Sequence, residues 1–136
     1  MANFHKMTRT NYFRVKDPDA FKAWAGKRHM QTWNETIWNK NKCEEPDPTV
    51  FVMQSTSQDG WYDAYDDAGV DIFGELATHL ADKQVAILME IGWLKEYVKG
   101  WAIAVHANGK FVEVVLDDIY DVAKKEFGDD IQMREI

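Results

Sequence analysis

The chain has 136 residues and a single cysteine, Cys43, so it is long enough to bury a core and has no intramolecular disulfide framework. Its net charge of −7 combines a basic start, with nine Lys or Arg against three acids in residues 1–42, with an acidic remainder. This balance disfavours nucleic acid or anionic lipid as a direct ligand, and no apolar run approaches the roughly 20 residues of a membrane span.

The first part of the chain predicts strands around one capped helix. Residues 10–16 alternate polar and apolar side chains, as a half-buried strand does. Asp17 lies where an N-cap belongs and Pro18 at the first helical position, and Phe21 and Trp24 follow at helical spacing. Next come a strand, a polar loop with two prolines and another strand, in residues 30–38, 39–48 and 49–56.

The second part predicts a helix and then the strongest strands. Asp71 is expected to cap a helix over residues 71–83, and long apolar strands follow over 84–94 and 98–116. Asn108-Gly109 predicts a two-residue hairpin turn, because both turn positions need positive φ. Counting outward from that turn places one set of residues on a common apolar face: Val105 opposite Val112, Ile103 opposite Val114, and Trp101 opposite Leu116.

The C-terminal region repeats the pattern of strand, cap and helix. Asp117 or Asp118 is expected to cap a last helix that Gly128 closes, and residues 130–136 are expected to return as an edge strand. The residues expected to face inward are Ile119, Val122, Ala123 and Phe127. Hairpins segregated from helices predict one α+β domain, residues 1–136, with a mainly antiparallel β-sheet and about three short helices packed on it.

The most unusual stretch is "DGWYDAYDDAGVD", residues 59–71, which we call the acidic segment. It holds five aspartates and three aromatic residues but no basic residue. It does not fit an EF-hand calcium loop, because the third loop position falls on Trp61 or Tyr65 instead of a carboxylate. Aromatic anchors among steering charges are typical of protein docking sites. The candidate partner-binding residues are Asp59, Trp61, Tyr62, Asp63, Tyr65, Asp66 and Asp67. The alternative is a solvated turn in which Trp61 and Tyr65 point inward.

Catalytic chemistry has little support in the sequence, so we predict no catalytic residue, no bound metal ion and no cofactor. A nucleophilic Cys43 is disfavoured, because its neighbours Glu44 and Glu45 oppose formation of a thiolate. Glu75 and His79, four residues apart on one helix, support an alternative hypothesis of a small metal-dependent enzyme. Another alternative is a homo-oligomeric accessory protein whose exposed aromatic residues contact further copies.

Two stretches, "NYFRVKDPDAFKAWA" and "LADKQVAILMEIGWLKEYVKGWAIAVHANGKFVEVVLDDIY", resemble small bacterial proteins found with phages and other mobile elements. The resemblance supplies no catalytic residue. It implies an inhibitor of host defence, of the anti-CRISPR or antirestriction type, some of which imitate the charge of DNA. The leading hypothesis is a non-catalytic inhibitor in the cytoplasm of a bacterial host. Its acidic aromatic surface would dock on a nucleic-acid-binding site of a host protein complex, without binding nucleic acid itself.

Overall fold

The computed structural model describes residues 5–34, 47–56, 60–61 and 71–132. These residues form three helices and antiparallel strands, which confirms the predicted α+β class. The elements are β1 (His5–Thr10), β2 (Phe13–Arg14), α1 (Pro18–Lys27), β3 (Met30–Asn34), β4 (Val50–Ser55), α2 (Ile72–His79), β5 (Val85–Leu94), β6 (Tyr97–His106), β7 (Phe111–Val115) and α3 (Asp118–Phe127). The large sheet has the strand order β1-β5-β6-β7, and the small sheet the order β2-β4-β3.

The first two helices begin as their sequences predict. The side chain of Asp17 accepts hydrogen bonds from the N–H groups of Asp19 and Ala20, and Pro18 opens α1. Asp71 likewise caps α2 by accepting from the N–H of Gly74 at 3.0 Å. Both helices contribute to one hydrophobic cluster that also takes residues from both sheets. The core therefore lies between the two sheets and these helices.

Side chains join the small sheet to the large one. Thr10 Oγ1 accepts a hydrogen bond from the N–H of Met53, and Thr8 Oγ1 accepts one from the N–H of Ser55, both at 2.9 Å. Both threonines are buried in β1. Strand β2 covers only the first two residues of β4. Beyond it, the two threonine hydroxyl groups accept the hydrogen bonds that a longer neighbouring strand would otherwise accept from β4.

The predicted turn between β6 and β7 is wrong by one residue. His106 N–H donates to the carbonyl of Lys110 at 2.8 Å, which leaves a three-residue loop over 107–109. Of these loop residues Gly109 has positive φ, at 93°, as in a hairpin that ends with a glycine bulge. Val112 consequently lies opposite Ala104, and Val114 opposite Ala102. Because neighbouring residues in a strand point to opposite faces, this shift moves both valines to the other side of the sheet.

Helix α3 forms over the predicted region, but neither Asp117 nor Asp118 caps it as expected: Asp117 makes no capping hydrogen bond with its side chain, and Asp118 accepts from the N–H of Val115. The helix also does not face inward. It ends at Gly128, with φ at 93°, yet none of its residues is buried. Ile119, Val122 and Phe127 are 58%, 61% and 80% exposed, so the expectation that they pack against the sheet is wrong. Residues 130–132 are not in a strand, and the rest of the predicted edge strand, 133–136, lies outside the described residues.

Candidate interaction surfaces

The large sheet has one face in the core and one face that no described element covers, which we call the outer face. Alternation along β5 sends Ala86, Leu88 and Glu90 inward. The strand pairing then assigns the outer face to His5, Met7, Arg9, Val85, Ile87, Met89, Ile91, Trp93, Val98, Gly100, Ala102, Ala104, His106, Val112, Val114 and Leu116. Lys110, which lies opposite His106, belongs to the same face, so its fixed charges are those of Arg9 and Lys110. A polar face is usual where an antiparallel sheet meets water, so the outer face has the composition of a buried surface.

The outer face has the shape of a trough. Along the middle of β6 lie three small residues, Gly100, Ala102 and Ala104, with Val98 and His106 at the two ends of the outer side of this strand. The neighbouring strands β5 and β7 carry large apolar side chains on either side, among them Val112 and Val114, which are 70% and 58% exposed. Contiguous exposed apolar patches of several hundred Å² mark interaction sites on soluble proteins. The β7 register that sequence analysis missed creates one wall of this trough.

Trp61, a predicted docking residue, lies in the core and is fully buried. Its N–H donates to Glu90 Oε1 at 2.8 Å, and its indole Nε1 donates to the carbonyl of Met89 at 2.9 Å. Ser55 Oγ also donates to the carbonyl of Gly60 at 2.8 Å. Trp61 therefore fastens the start of the acidic segment to the protein, and it does not present its ring to a partner.

The acidic segment is thus fixed at two described points, Gly60–Trp61 and the helix cap Asp71. The remaining predicted docking residues lie outside the described ranges: Asp59, Tyr62, Asp63, Tyr65, Asp66 and Asp67. Their role stays a prediction. The inward orientation considered for Trp61 is the one that the structure has.

Sequence analysis also missed Glu90, the residue that receives this segment. It is 8% exposed, and its second carboxylate oxygen accepts a hydrogen bond from Trp101 Nε1 at 2.8 Å. One carboxylate therefore holds two tryptophans, Trp61 by its backbone and Trp101 by its ring. The available signal was a single acid at an inward position of an otherwise apolar strand, since a buried carboxylate needs hydrogen-bond donors around it.

Glu75 and His79, the alternative metal-binding pair, lie in a cluster with Trp24 and Arg28. Glu75 accepts from Trp24 Nε1 at 2.8 Å and from Arg28 Nε at 2.9 Å, and its other oxygen accepts from the Arg28 guanidinium at 3.1 Å. The His79 ring stacks on Trp24 with centroids 5.1 Å apart, and burial lowers the pKa of His79. Within the described ranges, no three His, Cys, Asp or Glu residues come close enough to hold a metal ion.

Glu75→Gln is expected to destabilise the protein by about 1 kcal/mol or less at neutral pH, as for a partly exposed ion pair. The bonds from Arg28 and then Trp24 lower the pKa of Glu75 below its ordinary value of 4.5. The stability that depends on this pair is therefore present above pH 4.5 and is lost as the pH falls through the lowered pKa. Urea unfolding between pH 7 and pH 3 should show the wild type and the variant converging in acid.

Arg28→Gln removes the other half of the pair and should give the same convergence. A stability difference that stays constant down to pH 3 would contradict this assignment, because it would mean that ionisation of Glu75 does not matter.

In the described part of the chain, no helix is long and apolar enough to cross a membrane. Comparison of the chain with protein-family models, with curated proteins and with solved structures finds no match.

Proposed function

We propose that the protein is a non-catalytic inhibitor that binds a bacterial defence complex and presents its acidic segment to a nucleic-acid-binding surface of that complex. The observation that supports this proposal best is the attachment of the segment. Its start is bound to the core through Gly60–Trp61, and its end, Asp71, caps α2. A segment whose ends are already held loses less conformational entropy on binding than a free chain does.

The charge of the segment suits such a partner. Five aspartates in thirteen residues, without a basic residue, match the Lys and Arg arrays with which proteins grip nucleic acid. Charges of this kind steer encounter and select one partner over another more than they add affinity. Tyr62 and Tyr65 would supply apolar contacts in place of Trp61, whose ring is committed to the core.

Reversing the charge of the segment, with Asp63→Lys, Asp66→Lys and Asp67→Lys combined, is expected to abolish capture of the partner while the protein stays folded. The wild-type protein, immobilised and exposed to lysate of a bacterium with an active defence system, should retain a nucleic-acid-binding complex. Added duplex DNA should displace that complex, because both ligands need the same basic surface. Mass spectrometry of the retained proteins measures the result.

A matched control carries the same change in net charge elsewhere, with Asp82→Lys, Asp129→Lys and Asp130→Lys at exposed positions. It should retain the complex as the wild type does. If both triple variants lose capture equally, overall charge and not the acidic segment is responsible. If duplex DNA leaves the captured complex in place, the proposed target surface is wrong.

A further inference from the structure

In the part of the chain that the structure describes, two apolar surfaces are left uncovered, one a trough and the other a helix stripe. One is the trough of the outer face, with Gly100, Ala102 and Ala104 along its floor. The other is the apolar stripe of α3, formed by Ile119, Val122, Ala123 and Phe127. An amphipathic helix is stable in water when its apolar stripe is buried against another surface. The described part of the chain provides no such cover for α3.

We propose that the covering partner is a second copy of this chain, with α3 of each copy lying in the trough of the other. This inference concerns the outer face and does not depend on the proposed inhibitory function. A two-fold dimer requires a self-complementary pair of surfaces, so that each copy gives and receives the same contact. One chain that carries both an apolar trough and an exposed apolar helix meets that requirement.

The connection between β7 and α3 favours exchange between copies. Two residues, Leu116 and Asp117, link the strand to the helix. Leu116 is tied to β6, because its N–H donates to the carbonyl of Gly100 at 2.7 Å. With so short a link, α3 leaves the end of the sheet with its stripe exposed and does not fold back over its own trough. The short link does not prevent α3 from lying in the trough of a neighbouring copy.

The area that the contact buries fits a weak, reversible dimer. A ten-residue helix about 15 Å long and 10 Å wide covers roughly 150 Å² of the trough. Each contact therefore buries about 300 Å² on its two sides, and the two contacts of a dimer bury about 600 Å², as in weak or transient complexes, which bury less than about 1,200 Å².

Charge also favours a second copy over a lipid surface. The outer face contains no acidic residue among its described members and carries Arg9 and Lys110. Helix α3 and its flanks are acidic, with Asp117, Asp118, Asp121, Glu126, Asp129 and Asp130 against Lys124 and Lys125. An acidic helix is repelled by anionic lipid but is attracted to a face whose fixed charges are basic.

The contact would be face to face and not edge to edge. The N–H of Val115, on the free edge of β7, donates to Asp118 Oδ2 at 2.7 Å. That bond occupies a donor which an added strand would need, and sheet edges blocked in this way resist pairing with another chain. This bond hinders pairing at the end of β7 that leads into α3, next to the surfaces proposed for the contact.

The test is the oligomeric state of the full chain, measured by analytical ultracentrifugation from about 1 to 200 μM. The wild type is expected to sediment as a dimer at the upper concentrations. Val114→Glu on the outer face and Val122→Glu on α3 should each raise the dissociation constant about 30-fold or more, as a charge placed at an interface hot spot does. Circular dichroism confirms that each variant is folded.

The matched control is Val115→Glu, which changes the same residue type on the same strand but on the opposite side of the sheet. It should leave the dissociation constant within about threefold of the wild-type value. A wild type that stays monomeric at every concentration would overturn the proposal. So would a dimer that Val122→Glu leaves intact, because α3 would then have no part in it, or one that Val115→Glu disrupts as strongly as Val114→Glu.

Discussion

Gly60→Ala should lower the free energy of unfolding by about 3–5 kcal/mol. Gly60 has φ of 68°, a conformation that costs a residue with a Cβ about 1–2 kcal/mol. A Cβ at this position would also overlap the carboxylate of Glu90. That carboxylate is held by the N–H of Trp61 and the indole of Trp101, and hydrogen bonds to charged groups are worth about 1.5–3 kcal/mol each. Urea unfolding measures the loss.

Gly109→Ala is the matched control, because Gly109 also has positive φ but nothing lies within 4 Å of a Cβ built there. It should cost about 1–2 kcal/mol, the backbone penalty alone. Equal losses for the two variants would show that the carboxylate of Glu90 moves aside without consequence, and the clamp on Gly60–Trp61 would then be unimportant.

Trp61→Ala is expected to destabilise the protein by about 3–5 kcal/mol, the usual effect of truncating a buried aromatic side chain. The ring is fully buried and its indole N–H is bonded to the carbonyl of Met89, so the substitution leaves a cavity and removes a buried hydrogen bond. A docking residue at the surface would behave differently, since its loss weakens binding and leaves stability nearly unchanged. Thermal and urea unfolding of the variant separate these two roles.

Tyr12→Ala is a suitable control, because Tyr12 is an aromatic residue that is about half exposed. Its truncation should change stability by about 0.5 kcal/mol or less, as at most surface positions. If Trp61→Ala were as mild as this control, the buried position of Trp61 would be contradicted and its role as a partner contact restored.

Local signals predicted the elements well. Asp17 and Pro18 define the start of α1 within four residues of sequence, so their effect does not depend on the rest of the fold. The strands β5 and β6 are each ten residues long and rich in apolar side chains, and their antiparallel pairing follows from a short connection. Signals of this kind involve residues that are close together in the sequence, so a short stretch of sequence is enough to recognise them.

The features that determine which residues are exposed could not be predicted from short stretches of sequence. Asn108-Gly109 suits a two-residue turn, but a three-residue loop needs only one glycine in the left-handed region, and Gly109 satisfies both. The apolar stripe of α3 indicates that the helix is to be covered, yet a stripe does not identify the covering surface. Trp61 is held in the core by hydrogen bonds to Glu90 and Met89, which are 29 and 28 residues away in the sequence.

The threonine hydroxyls that join the two sheets affect the order in which the protein folds. The β5–β6 hairpin closes over a two-residue connection, so its ten pairs form at a small loop-closure entropy. The bonds of Thr8 and Thr10 to β4 close loops of more than 40 residues with a single hydrogen bond each. Contacts between residues so far apart in the sequence slow folding, because the loop entropy is lost before the contact stabilises the chain. We therefore expect the joint between the sheets to form after the β5–β6 hairpin and to open before it.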